Sequence, residues 1–212
     1  MPDTIRTIPT PQGDARLESY RSRRPVATLL MSHGAGAGID TLDLHSLARA
    51  LPGQGVTVHL MEQPWKVAGR KVAGAPATLD AALRAVADQI RPRTPLVVGG
   101  RSAGARSACR MGRQLGASGC LALSFPLHPP GRPEKSRADE LRGARLPTLV
   151  VQGERDTFGR PEEFPPGTEL AMIPGGDHSL KVPKRGVVSQ EDAMGILVEA
   201  ALEWIVREVA GS

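Results

Sequence analysis

The chain has 212 residues, with 27 Lys plus Arg against 22 Asp plus Glu and a net charge of +5. That length suits one compact α/β domain over residues 1–212 with a core that needs no cross-links. The basic excess is scattered, not striped, and aromatic residues make up only 3% of the chain, too few to stack on bases, so nucleic acid is not an expected partner. The two cysteines, Cys109 and Cys120, form no disulfide framework and no metal-ligand spacing. No apolar run approaches membrane-spanning length, and the first residues show no basic stretch followed by an apolar one. The expectation is a cytoplasmic protein in a reducing compartment, with no membrane partner.

In chain order, residues 4–8 and 15–20 read as two strands joined by a turn at Pro11-Gln12-Gly13-Asp14. Residues 26–31 are apolar at nearly every position, as a strand buried on both faces requires, and end in His33-Gly34-Ala35-Gly36-Ala37-Gly38. Leu44, Leu47, Ala48 and Leu51 follow helical spacing until Pro52-Gly53. A second buried strand at 56–61 leads into a loop at Gln63-Pro64-Trp65-Lys66, and residues 67–76 read as irregular. Leu79, Ala82, Leu83, Val86 and Ile90 mark the next helix face, followed by an apolar strand at 96–100 and a helix at 105–115. Further strands are expected at 120–125, 147–151 and 169–173, with a rigid loop at 126–131 and a charged stretch at 132–145 that has room for a short helix. The terminal helix starts near Ser189, where Asp192 completes a capping box, and its apolar face is Met194, Leu197, Val198, Ala201, Leu202, Ile205 and Val209. Strands alternating with helices imply a mostly parallel sheet covered on both faces, with the first hairpin as an antiparallel edge.

In such sheets ligands bind beyond the carboxyl ends of the strands. Here those ends carry His33-Gly34, Ser102, His128, Asp156 and His178. Gly100-Arg101-Ser102-Ala103-Gly104 falls between a strand and a helix, the setting of a nucleophile elbow, a turn so tight that its flanking positions have no room for side chains. A serine hydroxyl needs a base, and of the five histidines His45 lies in a helix and His59 mid-strand, whereas His178 sits in a Gly-Gly-Asp-His loop free to reach back. The base in turn needs a carboxylate to fix its tautomer, which makes Asp156 the first candidate and Glu154 the second. Oxyanion donors are expected from the amide of Ala103 and from Ala35 or Gly36. A phosphate-cradling reading of the His33–Gly38 loop meets neither a Gly-Lys-Ser/Thr ending nor Gly-x-Gly-x-x-Gly spacing.

These four motifs, residues 33–38, 100–104, 153–156 and 176–178, resemble in content and order those of the α/β-hydrolases. Two further stretches, Glu62-Gln63-Pro64-Trp65 with Val67-Ala68-Gly69-Arg70, and Pro126-Leu127-His128-Pro129-Pro130-Gly131, are similar to the small, lidless, dienelactone-hydrolase-like group. The resemblance implies an α/β-hydrolase fold without a large cap domain, and roles of nucleophile, base and orienting acid for Ser102, His178 and Asp156. Dienelactone hydrolases carry a cysteine nucleophile where this chain has Ser102, so the resemblance does not carry dienelactone as the substrate. Only some twenty residues separate the strands at 120–125 and 147–151, room for at most a small flap (roughly, from loop-length norms).

The expected function is therefore that of a serine hydrolase cleaving a small carboxylic ester or thioester through an acyl-enzyme, needing no metal or cofactor, as a monomer or homodimer. Trp65, Arg101 and His128 are the candidates to line the substrate pocket, with Lys66, Arg70 and Lys181 on a rim suited to an anionic acyl group. The alternative is a catalytically silent hydrolase-like module kept for binding or scaffolding.

Overall fold

The structure, a computed structural model, describes residues 1–211. Eight strands form one sheet: β1 (Thr4–Thr10), β2 (Gly13–Tyr20), β3 (Ala27–Ser32), β4 (Val56–Glu62), β5 (Leu96–Arg101), β6 (Gly119–Leu123), β7 (Thr148–Gly153) and β8 (Glu169–Ile173). Their spatial order is β1-β2-β4-β3-β5-β6-β7-β8. Strands β3 to β8 run parallel, while β1 and β2 are antiparallel to their neighbours. The helices are α1 (Leu42–Ala50), α2 (Pro64–Val67), α3 (Pro76–Ile90), α4 (Ala103–Met111), α5 (Ala138–Arg142) and α6 (Gln190–Ile205).

Because side chains alternate across a strand, each central strand feeds two cores. Leu29 and Met31 of β3 pack with Leu44, Leu47, Leu197 and Trp204 on the α1/α6 face. Leu30, between them, packs with Leu83, Val86, Ala105 and Ala108 on the α3/α4 face. This double burial explains why residues 26–31 lack a polar alternation, although Val26 itself lies just outside the strand and is exposed.

Several boundaries differ from the sequence expectation. The hairpin strands extend to Thr10 and from Gly13, whose φ of +102° suits a residue without a Cβ. Residues 64–67, expected as loop, form one helical turn opened by Pro64, whose fixed φ suits a first helical position. Helix α4 begins at Ala103 and tightens into a 3-10 turn over Gly112–Leu115, which ends on Gly116 at φ +66°. At α6 the Ser189 side chain accepts from the Asp192 amide at 3.0 Å, and Asp192 accepts from the Ser189 amide at 3.2 Å, completing the capping box. Trp204, absent from the expected apolar face, is 1% exposed and closes over Gly119, where a Cβ would lie 2.7 Å from its ring.

No cap interrupts the sheet: between β6 and β7 there are only a 3-10 turn at Pro133–Lys135 and the single short helix α5. Among the described residues no helix is long and apolar enough to cross a membrane. The chain runs from β3 outward to β4, then returns to place β5 on the other side of β3. Such a reversal opens a crevice at the strands' carboxyl ends. Ser32 pairs with Gly100 across it, so the loop after β3 and the turn after β5 start side by side.

Candidate active site

Ser102 occupies the turn from β5 into α4 with φ 52° and ψ −111°, a conformation that L residues rarely adopt and that tertiary contacts must hold. The crowding around it is backbone against backbone. A Cβ on Gly100 would come within 2.5 Å of the Gly104 carbonyl carbon, and one on Gly104 within 2.6 Å of the Ser32 oxygen. The Ser102 amide donates to the Leu123 carbonyl at 2.9 Å, anchoring the turn to β6. Its side chain is left partly open to solvent.

Ser102 Oγ lies 3.0 Å from His178 Nε2, and His178 Nδ1 lies 2.7 Å from Asp156 Oδ2. Asp156 is fully buried, yet its carboxylate is satisfied: Oδ1 accepts from the Phe158 amide at 2.8 Å, and Oδ2 also accepts from Gln152 Nε2 at 2.8 Å. With a carboxylate on Nδ1, the neutral ring carries its proton there and leaves Nε2 as an acceptor facing the serine hydroxyl. The ring of Phe158 stacks on His178 with centroids 4.1 Å apart.

Glu154, the second candidate for the acid, is exposed and turns away, accepting instead from the Gly175 amide. Asp177 shapes the loop that carries His178, with Oδ1 accepting from the amides of Ser179 and Lys181 at 2.7 and 3.0 Å. At Gly153 a Cβ would meet the carbonyl oxygens of Asp177 and Gly176 at 2.5 Å, so the end of β7 and the His178 loop pack without intervening side chains.

On the other side of Ser102, Gly34 approaches so closely that a Cβ there would lie 3.1 Å from the Ser102 Cβ. His33 is buried and determines the course of this loop. The Gln63 amide donates to its Nε2 at 2.9 Å, so its proton is on Nδ1 and goes to the Gly34 carbonyl at 2.8 Å. Burial, reinforced by the charge of Lys66, lowers the His33 pKa and favours this neutral form. In a trans peptide N–H and C=O point oppositely, so the Ala35 amide faces away from His33. Ala35 and Gly36 are both exposed. Ala103 is the first residue of α4, where an amide has no acceptor within its own helix.

The pocket candidates take different places. Trp65 is buried behind the His33 ring, edge to face at 5.5 Å, and supports the loop after β3. His128 is buried, with Nδ1 bonded to the Pro129 carbonyl at 2.9 Å and Nε2 to Glu163 at 3.1 Å. It lines a cavity of about 490 Å³ shared with Asp156, Thr157 and Arg160. The Arg160 amide, together with His128, holds the Glu163 carboxyl below its usual range. Arg101 does not stand at the rim: it is 7% exposed and bonded to groups of the chain itself. With Leu42, Ser179 and Lys181 it borders a second cavity, of about 460 Å³. Lys66, Arg70 and Lys181 are exposed. Among the described residues no group of three or more His, Cys, Asp or Glu side chains is arranged to hold a metal ion. Sequence reasoning missed Gln152 and Phe158. A glutamine ending an otherwise apolar strand was the one available signal for the first; Phe158 had none.

A mostly parallel eight-stranded sheet with its serine in a strained strand–helix turn, and no cap, defines the class of lidless α/β-hydrolases. A family model described as an alpha/beta hydrolase domain matches residues 25–206, and the chain belongs to that family. Solved structures of the same fold include a lidless α/β serine hydrolase from Xanthomonas campestris, 21% identical over 95% of this chain and 94% of that one, with a TM-score of 0.70. A dienelactone hydrolase from Anabaena variabilis is 15% identical, covers 97% of each chain and has a TM-score of 0.73. An α/β serine hydrolase homologue from Coxiella burnetii is 16% identical over 98% of this chain and 97% of that one, with a TM-score of 0.72. No curated protein matches the chain in sequence.

Proposed function

We propose that the protein is a serine hydrolase acting on small carboxylic esters or thioesters through an acyl-enzyme. The observation that carries this reading is the unbroken hydrogen-bonded series Ser102 Oγ–His178 Nε2 and His178 Nδ1–Asp156 Oδ2, at 3.0 and 2.7 Å. Ser102 Oγ attacks the substrate carbonyl while His178 Nε2 takes its proton. Asp156 holds the ring and stabilises the imidazolium. The negative charge on the tetrahedral oxygen is met by the amide of Ala103 and by that of Ala35 or Gly36. Collapse expels the alcohol or thiol, which receives the proton from His178. Water, deprotonated by the same ring, then attacks the acyl-enzyme, and the acid leaves as Ser102 recovers its proton. The absence of a cap between β6 and β7 favours short or extended acyl groups over ones that need enclosure.

The test is labelling of the purified protein with a fluorophosphonate, beside Ser102→Ala, together with turnover of p-nitrophenyl esters of increasing chain length. Labelling and turnover that vanish in the variant are expected. A wild-type protein that neither labels nor turns over would replace this reading with that of a silent scaffold.

A further inference from the structure

We propose that Arg101 is a positioning residue: its guanidinium ties the turn carrying Ser102, the loop carrying His178 and the start of α1 into one unit that keeps His178 in reach of Ser102. The inference rests on the serine-hydrolase reading above. Arg101 ends β5 and is the chain neighbour of Ser102. One terminal nitrogen donates to the His178 carbonyl at 2.9 Å and to Ser179 Oγ at 3.0 Å. Its Nε faces Asp43 Oδ2 at 3.2 Å, and the two side chains are 8% and 2% exposed. Asp43 lies in the first turn of α1, directly after the loop that holds Ala35 and Gly36.

Ser102 and the Arg101 backbone limit what residue 34 can be, and the guanidinium lies in ordinary contact range of the same position. A Cβ on Gly34 would lie 3.6 Å from the other terminal nitrogen and 3.3 Å from the Arg101 carbonyl oxygen, as well as against Ser102. Nucleophile, base and the loop of expected oxyanion donors thus all abut one planar cation.

The arrangement suits holding better than binding. A terminal guanidinium nitrogen hydrogen-bonds the His178 loop while the Nε edge faces the Asp43 carboxylate as an ion pair without a hydrogen bond, so one planar cation touches two segments, with less freedom than a flexible ammonium would have. The His178 loop needs such a hold, because Leu180 sits at φ 54° and the loop's own bonds run mostly within residues 177–181. The packing at Gly153 ties this loop to β7, whereas the Arg101 bond to the His178 carbonyl ties the backbone of the base to β5, the strand of the nucleophile. A substrate anion would have to compete with the buried Asp43 carboxylate and with acceptors already bonded to this cation.

The experiment uses Arg101→Gln combined with Asp43→Asn, which removes the buried charges together, and Ser179→Ala, which removes one exposed acceptor and leaves the cation paired. Active sites are titrated with fluorophosphonate, and kcat and KM for p-nitrophenyl acetate are measured per titrated site. The double variant is expected to lose on the order of 10- to 100-fold in kcat and in labelling rate with KM within about twofold, as displacement of a catalytic group produces. Ser179→Ala is expected to lose about threefold in kcat, and the downfield proton resonance of the His178–Asp156 bond is expected to weaken in the double variant. Unchanged kcat per titrated site in both variants would overturn the inference, as would a rise in KM at constant kcat, which would make Arg101 a substrate ligand. Failure of the wild-type protein to label would instead remove the serine-hydrolase reading itself. If the double variant does not fold, Ser179→Ala alone decides.

Discussion

Replacing Asp156 by Asn tests the site where its geometry is tightest. The carboxylate is fully buried and takes three donors: the Phe158 amide, Gln152 Nε2 and His178 Nδ1. Asparagine offers one acceptor oxygen and one donating NH2. With its oxygen toward Phe158, the NH2 displaces the Gln152 Nε2 bond, which Gln152 offsets by keeping its 2.8 Å bond to the Gly159 carbonyl, and the imidazole must turn its lone pair to Nδ1. The ring proton then sits on Nε2, and Ser102 has no group to receive its own. With the amide reversed, the NH2 opposes the buried Phe158 N–H, at a cost of about 1–3 kcal/mol for the unmet donor. The first arrangement predicts a fall in kcat of about 10⁴-fold, the scale seen when an orienting aspartate becomes asparagine, or about 5 kcal/mol of barrier. The assay is p-nitrophenyl acetate turnover and fluorophosphonate labelling, with Glu154→Gln as the control. Glu154 is exposed and bonded to the Gly175 amide, so its variant should stay within about threefold of wild type. An Asp156→Asn protein that is folded and keeps more than about a tenth of wild-type activity would refute the assignment, as would a Glu154→Gln loss that exceeds it.

Two other predictions concern the scaffold. Gly104→Ala drives a Cβ to 2.6 Å from the Ser32 oxygen and 2.8 Å from the His33 oxygen, and both are strand-end backbone that cannot move aside alone. A loss of about 3 kcal/mol should lower Tm by roughly 6–12 °C, and a thermal melt within 2 °C or so of wild type would contradict the crowding argument. His59, buried in β4 against Ser19, has its pKa pushed from 6.5 down to about 4 by burial, with Arg6 and Arg21 adding to the effect. The unfolded chain therefore binds this proton first on acidification. Stability is fully present above pH 6.5 and declines toward pH 4, by about 2 kcal/mol at pH 5 for this group alone. Urea denaturation at pH 7 and pH 5 should show that difference shrinking by as much in His59→Gln, and equal acid losses in both proteins would exclude His59 as the cause.

Much of the architecture is written locally. Residues 26–31, 96–100 and 147–151 are apolar at nearly every position because both faces of β3, β5 and β7 are covered. The α3 face, Leu79, Ala82, Leu83 and Val86, is buried as its spacing implies. The Gly-x-Ser-x-Gly motif could be read without a fold because its requirement is steric, and the structure meets it with contacts that leave no room for a Cβ. His45 and His59 could be set aside from the sequence because they lie within a helix and a strand, but His33, His128 and His178 all follow strand ends, and only the structure shows which of them faces Ser102.

The side-chain roles around the site were decided elsewhere. Arg101 looks like any arginine in a basic chain, and only the return of the chain from β4 to β5 beside β3 surrounds it with Asp43, Gly34 and the His178 loop. Trp65 was expected to face substrate, but the turn of α2 sets it behind His33. Asp156 and Glu154 are two residues apart and alike in sequence. The turn after β7 buries the first against Gln152 and leaves the second at Gly175. Strand periodicity and turn sterics act over a few residues and leave their mark on the sequence. Burial, charge pairing and ring stacking depend on segments dozens of residues apart meeting across a sheet, and that order is set by the packing of the whole chain.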